Sequence, residues 1–195
     1  IAAICEKHHC LLVVDEAHAV GVFGAGLVEN HQLSTKVFAR IVTFGKGIGC
    51  HGAAIIGSEQ LKQYLINFAR SLIYTTALPP HSVATIIAAY NYLSENNYRR
   101  EKLQDNIAFF GREKTQLGLK PVFVKSKSAV QSAIIPGNER VRKIAGQLQS
   151  EGFDVRAILS PTVPQGQERL RFCIHSFNSE QQIAAVLSSL SKLLF

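Results

Sequence analysis

Two short stretches of the 195-residue sequence carry side chains whose types and spacing suit covalent chemistry. The first is Asp15-Glu16-Ala17-His18, two carboxylates and an imidazole that directly follow the apolar run from Cys10 to Val14. In open α/β sheets ligands bind beyond the carboxyl ends of the strands, which is where this stretch would fall. The second is Thr43-Phe44-Gly45-Lys46-Gly47-Ile48-Gly49, a lysine between glycines at the end of the run from Arg40 to Phe44. A lysine in a partly desolvated pocket has a lowered pKa and becomes a nucleophile able to form a Schiff base with an aldehyde. Flanking glycines let a ligand come close to the backbone. If the aldehyde sits on a pyridine ring, a carboxylate must face the ring nitrogen, because the protonated ring is the sink for a carbanion at Cα. Asp15 is the candidate for that role. The competing reading of Lys46 is a surface lysine in a flexible glycine loop.

Asp-Glu-Ala-His is also the signature of a class of nucleic-acid-dependent ATPases, whose acidic pair handles magnesium and water. That chemistry needs a phosphate-binding GxxxxGK[ST] upstream. No lysine of this chain follows Gly and precedes Ser or Thr. The formal charge of +7 attracts anions without choosing among them. The basic residues, from Arg70 and Arg99 to Arg142 and Lys143, form no long run and read as a solvated surface, so no nucleic-acid partner is expected. The cysteines Cys5, Cys10, Cys50 and Cys173 form no CxxC pair and read as reduced thiols. Cys5, His8, His9 and Cys10 lack the second ligand pair that a structural zinc site requires, so no metal is expected.

The elements that must position these residues follow from hydrophobic periodicity. With 47% hydrophobic and 18% charged residues the composition is that of a globular protein and not a disordered one. No apolar run approaches the roughly 20 residues that cross a bilayer, and no charged segment followed by an apolar stretch opens the chain, so no membrane partner and a cytoplasmic location are expected. The opening IAAICEKHHC reads as the last turns of an amphipathic helix. Cys10 to Val14 lacks polar alternation and suits a strand buried on both faces of a largely parallel sheet. Arg40 to Phe44 and Gly52 to Gly57 follow as a hairpin-like pair. Ser58 is placed to cap a helix with Leu61, Tyr64, Leu65 and Phe68 on one face.

The Pro79-Pro80 pair breaks the chain, and two helical patterns follow, Pro80 to Ser94 and Tyr98 to Leu117. Beyond them the pattern predicts short strands at Pro121 to Val124 and Ala129 to Ile135, and a helix over Glu139 to Ser150 with Val141, Ile144, Ala145 and Leu148 inward. Strands at Asp154 to Ile158 and Arg169 to His175 precede a last helix, capped by Ser179 with Gln182, whose apolar residues are Ile183, Val186, Leu187, Leu190 and Leu194. The expected class is therefore α/β, with the end of a sheet domain over residues 1–78, linking helices over 79–117 and a small α+β domain over 118–195.

Four segments, VVDEAHAVGVFGAGL, IVTFGKGIGCHGAAIIGS, LIYTTALPP and SPTVPQGQERLRF, resemble in order the α-oxoamine synthases of PLP fold type I. The resemblance covers nearly all of the chain. It implies that residues 1–78 are the end of the large cofactor domain. It further implies pyridoxal 5'-phosphate as cofactor, a homodimer, and an acyl transfer that condenses an amino acid with an acyl thioester and releases carbon dioxide.

Residue by residue, the resemblance makes Lys46 the covalent anchor and the acid/base at Cα, and Asp15 the partner of the pyridine nitrogen. His18 would bond the phenolic oxygen, and Thr43 the phosphate. Thr75 or Thr76 would reach the phosphate of the neighbouring subunit. Thr162 would contact substrate, and Arg171 would hold the amino-acid carboxylate, a task its fork suits through two parallel hydrogen bonds. The alternatives are that His18 only caps the turn, and that Arg169, on the same strand face, binds while Arg171 pairs on the surface. His51 either shapes the pocket or is neutral. The ring-stacking residue and a glycine-containing phosphate loop of such a site are not in this sequence. The chain is therefore expected to be the C-terminal part of a longer enzyme, inactive by itself.

Overall fold

The computed structural model describes residues 1–195. The chain divides into two compact units, Ile1–Arg100 and Glu101–Phe195. The first contains α1 (Ala2–Lys7), β1 (Val13–Asp15), α2 (Leu27–Asn30), β2 (Ala39–Thr43), β3 (Ala53–Gly57), α3 (Glu59–Phe68), α4 (Arg70–Ile73) and α5 (Pro80–Glu95). The division falls inside the long helix α6 (Asn97–Gln116). The second unit then adds β4 (Val130–Ile134), α7 (Asn138–Ser150), β5 (Arg156–Ile158), β6 (Arg169–Cys173) and α8 (Glu180–Leu194).

In the first unit the strand order is β1-β2-β3, with β1 parallel to β2 and β3 antiparallel to it. The sheet is thus mixed, and the hairpin expected between β2 and β3 is present. Its turn is closed by Cys50 N–H donating to Phe44 O (2.7 Å) and Phe44 N–H to Gly52 O (2.9 Å). Gly49 and Gly52 supply the positive φ values of 68° and 106° that this return needs. Val20, Val42, Phe44 and Ile48 form the buried centre, with Ile86, Ala89 and Leu93 of α5 packed against it at helical spacing. Ser58 caps α3 as expected, its Oγ accepting from Leu61 N–H at 3.2 Å.

Two expectations need correction. The strand expected from Cys10 to Val14 is shorter, Val13–Asp15, and it is not buried on both faces, since Val13 is 51% exposed. An apolar run records what a strand can bury, and no element of this unit covers that face of Val13. The strand expected from Pro121 to Val124 is a 3-10 turn over Lys120–Val122, after which Phe123 makes a single bridge to Ala133. Pro121 lacks the N–H a ladder needs and its fixed φ suits the turn.

The second unit is an antiparallel sheet of order β4-β6-β5. One face packs Ala133, Leu170 and Phe172 against Ile107 and Phe110 of α6, the expected Val141, Ile144, Ala145 and Leu148 of α7, and Ile183, Val186, Leu187 and Leu190 of α8. Ser179 and Gln182 form the expected capping box at the start of α8. The opposite face carries Arg156, Arg171 and Cys173 outward.

Candidate functional site

Because β1 and β2 run parallel, their carboxyl ends lie at the same edge of the sheet. Asp15, the last residue of β1, pairs with Ile41, and Thr43 ends β2 two residues further on. Asp15 is exposed there, and its Oδ1 accepts the Ala17 N–H at 2.8 Å, which turns the chain upward from the strand. His18 stands exposed on the turn that follows, a turn tied by Ala19 and Val20 N–H donating to Glu16 O. Lys46 is exposed in the loop after Thr43, where its carbonyl accepts from Gly49 N–H at 3.0 Å.

Two glycines fix these segments against each other. Gly21 has a φ of 84°, and a Cβ on it would lie 2.8 Å from Gly47 O. A Cβ on Gly47 would in turn collide with Val20 O. The turn bearing His18 and the loop bearing Lys46 therefore meet backbone to backbone, a contact open only to glycine. Thr43 contributes a different feature. Its Oγ1 is buried and has no hydrogen-bond partner in the chain. A buried hydroxyl without a partner is uncommon and costs roughly 1–3 kcal/mol, so it marks a place where a ligand acceptor or donor would be welcome.

Glu16 has a role the sequence did not disclose. It points away from Asp15 into the interior, where Oε2 accepts from Arg40 Nε at 2.6 Å and Oε1 from Val28 N–H at 2.9 Å. Arg40 also donates to Ala25 O at 2.8 Å. Gly26 sits so close that a Cβ would fall 2.6 Å from the Glu16 carboxylate. This buried pair staples the segment between β1 and β2, and it leaves Glu16 unavailable to the metal and water of an ATPase. The only signal for it in sequence was period-2 alternation, which sends Asp15 and Glu16 to opposite sides.

Thr75 and Thr76 lie exposed between α4 and α5, and His51 is exposed in the β2–β3 turn. In the second unit Thr162 is exposed on the loop between β5 and β6. That loop is anchored by Asn138, whose Oδ1 accepts from Ser160 N–H (3.0 Å) while its Nδ2 donates to Ser160 O (3.3 Å). The buried Glu168 accepts from Gly137 N–H at 3.0 Å beside it. Sequence reasoning missed Asn138 and Glu168, because their partners lie 22 and 31 positions away. Arg171 is exposed on β6, whereas Arg169 is half-buried and donates through Nε to Gln167 O at 2.9 Å. The structure thus gathers Asp15, His18, Thr43 and Lys46 at one sheet edge, and it sets Thr162 and Arg171 in the second unit.

An acid, an imidazole and a glycine-framed lysine thus stand at one strand edge of an α/β scaffold. The chain belongs to the aminotransferase class I and II family, which matches residues 1–190. Among curated proteins, 8-amino-7-oxononanoate synthase of Emericella nidulans is 39% identical over 194 residues, covering 93% of this chain and 46% of that protein. Among solved structures, the 8-amino-7-oxononanoate synthase of Francisella tularensis superimposes with a TM-score of 0.84 at 30% identity, covering 99% of this chain and 58% of that one. An SPT structure holding PLP superimposes with a TM-score of 0.87 at 26% identity, covering 98% and 49%. The α/β fold is that of PLP fold type I enzymes, as the sequence led us to expect. The chain spans about half the length of the curated relatives it matches.

Proposed function

We propose that this chain carries the lysine-bearing part of a pyridoxal-phosphate-dependent acyltransferase that condenses L-alanine with a pimeloyl thioester, with loss of carbon dioxide, to give 8-amino-7-oxononanoate for biotin synthesis. The observation that carries the reading is the unpartnered, buried Thr43 Oγ1 three residues before Lys46, at the edge where Asp15 ends its strand. A phosphorylated pyridine aldehyde fits these residues. Thr43 offers a hydroxyl to the phosphate, Asp15 a carboxylate to the ring nitrogen, His18 a ring N–H to the phenolic oxygen, and Lys46 an amine to the aldehyde carbon. The named relatives of similar sequence support the choice of reaction.

When bound, the cofactor supplies an electron sink that stabilises negative charge at the amino acid's Cα. The residues of this chain do the rest. Lys46 Nζ would hold the cofactor, and the same amine is the group placed to take the proton from the amino acid's Cα and return it. Asp15 keeps the ring nitrogen protonated, and a neutral amide there would not. His18 would hydrogen-bond the cofactor's phenolic oxygen from a turn that the contact between Gly21 and Gly47 holds in place. Arg171 grips the substrate carboxylate through its fork, and Thr162 makes a further substrate contact from its anchored loop. Thr75 or Thr76 reaches the phosphate in the neighbouring subunit of a homodimer, and the protein works in the cytoplasm.

Borohydride reduction of the whole protein, followed by digestion and mass spectrometry, is expected to yield a pyridoxyl peptide containing Lys46. Label on a different lysine would defeat the assignment. Incubation of the whole protein with L-alanine and a pimeloyl thioester is expected to release carbon dioxide, and failure with that donor alongside turnover of a shorter one would redirect the substrate.

A further inference from the structure

Strand β6 sends Leu170 and Phe172 into the core and Arg171 to the open face. Beside it, Arg156 of β5 stands directly across from Arg171 in the antiparallel register. Residues so paired project from the same face with Cβ atoms about 4.5–5.5 Å apart, and like charges placed there repel. The structure relieves only part of that repulsion. Asp154 Oδ1 takes Arg156 Nε at 2.6 Å, which leaves the terminal nitrogens of Arg156 pointing onward, and Arg171 has no acidic partner in the chain. Both arginines line one cavity of about 880 Å³, whose wall continues along β6 to Cys173 and past the strand end to His175.

We propose that Arg156 is a second arm for the substrate carboxylate, acting with Arg171 on the same group. The proposal rests on the reading of Arg171 as the carboxylate-binding residue. A carboxylate has two oxygens with about four acceptor sites, enough for the fork of Arg171 on one edge and a terminal N–H of Arg156 on another. An anion between the two guanidinium groups also cancels the repulsion that their register imposes. Asp154 acts as a positioning residue, since it fixes Arg156 through Nε and frees the other nitrogens for the ligand. The pair therefore selects for the amino acid's carboxylate and is indifferent to its amine or side chain.

The test is spectroscopic titration of the whole, cofactor-loaded protein with L-alanine and with ethylamine, its counterpart lacking the carboxylate. Arg156→Gln is expected to weaken L-alanine binding about ten-fold or more, the worth of one charge-assisted hydrogen bond, and to leave ethylamine binding within about two-fold of wild type. Arg156→Lys should restore part of the loss. Weakened L-alanine binding in Arg171→Gln with none in Arg156→Gln overturns the two-arm site and leaves the role of Arg171 standing. No change in either variant overturns the underlying reading of Arg171. Equal loss of both ligands in Arg156→Gln means that Arg156 serves the fold, and also overturns the proposal.

Discussion

Thr43 separates what a folded chain needs from what a ligand needs. Its buried Oγ1 finds nothing to bond within the protein, so replacing Thr43 with valine removes a polar atom that the chain itself leaves unsatisfied. Thr43→Val is expected to stabilise the cofactor-free protein by about 1 kcal/mol and to weaken pyridoxal phosphate about ten-fold, the first from relief of the orphaned hydroxyl and the second from loss of a bond to a charged group. Thermal melting and spectroscopic titration measure the two effects. A variant less stable than wild type with unchanged cofactor affinity would make Thr43 an ordinary core residue. At this scale the sequence was informative about placement, with Asp15 at the end of one strand and Lys46 in the glycine loop after another. It did not disclose the partners of Glu16, because alternation can send a carboxylate inward without naming what it meets there, here Arg40 and the Val28 amide.

Elements were legible where a pattern repeats over several turns. Helix α7 buries the four residues its 3.6-residue period predicts, and α8 carries both the capping box and the apolar stripe read from its sequence. Segments too short to repeat a pattern were not, as the 3-10 turn at Lys120–Val122 illustrates. Long-range clamps were not legible either. The Glu168 carboxyl is held below the ordinary glutamate range first by the Gly137 amide, then by its own amide and that of Gly166, against the opposing effect of burial. Its folded pKa is lowered, so the stabilisation is fully present above the unfolded value and is lost as pH falls through the folded one. Urea unfolding of wild type and Glu168→Gln at a series of pH values should therefore give a difference in stability that is constant near neutrality. That difference should shrink as pH falls below the ordinary glutamate range. A difference that stays constant down to pH of about 3 would exclude the carboxylate clamp.

For the whole molecule the two units differ in how well each satisfies its own apolar residues. The second unit closes a continuous core in which Leu119, Ala133, Val141, Leu148, Leu170, Leu187 and Leu190 are fully buried. The first has a small centre of Val20, Val42, Phe44 and Ile48, and it leaves Leu11, Ile55 and Tyr74 at 71%, 55% and 79% exposed. Periodicity could not reveal this asymmetry, since it reports which residues can be buried and not what covers them. Burial of apolar area is the main stabilising term, and local opening is easiest where buried contacts are few. Hydrogen exchange on the 195-residue chain is thus expected to find the slowest amides in β6 and α8, and those of β1 and β3 faster by about a hundred-fold, equivalent to roughly 2.7 kcal/mol of local stability. A piece beginning at Asn97, which keeps α6 whole, should retain that slow set when expressed alone. Slow exchange in β1 and β3 equal to that of β6 would overturn the asymmetry between the units, and loss of protection throughout residues 97–195 when they are expressed alone would mean that the core of the second unit does not sustain its own fold.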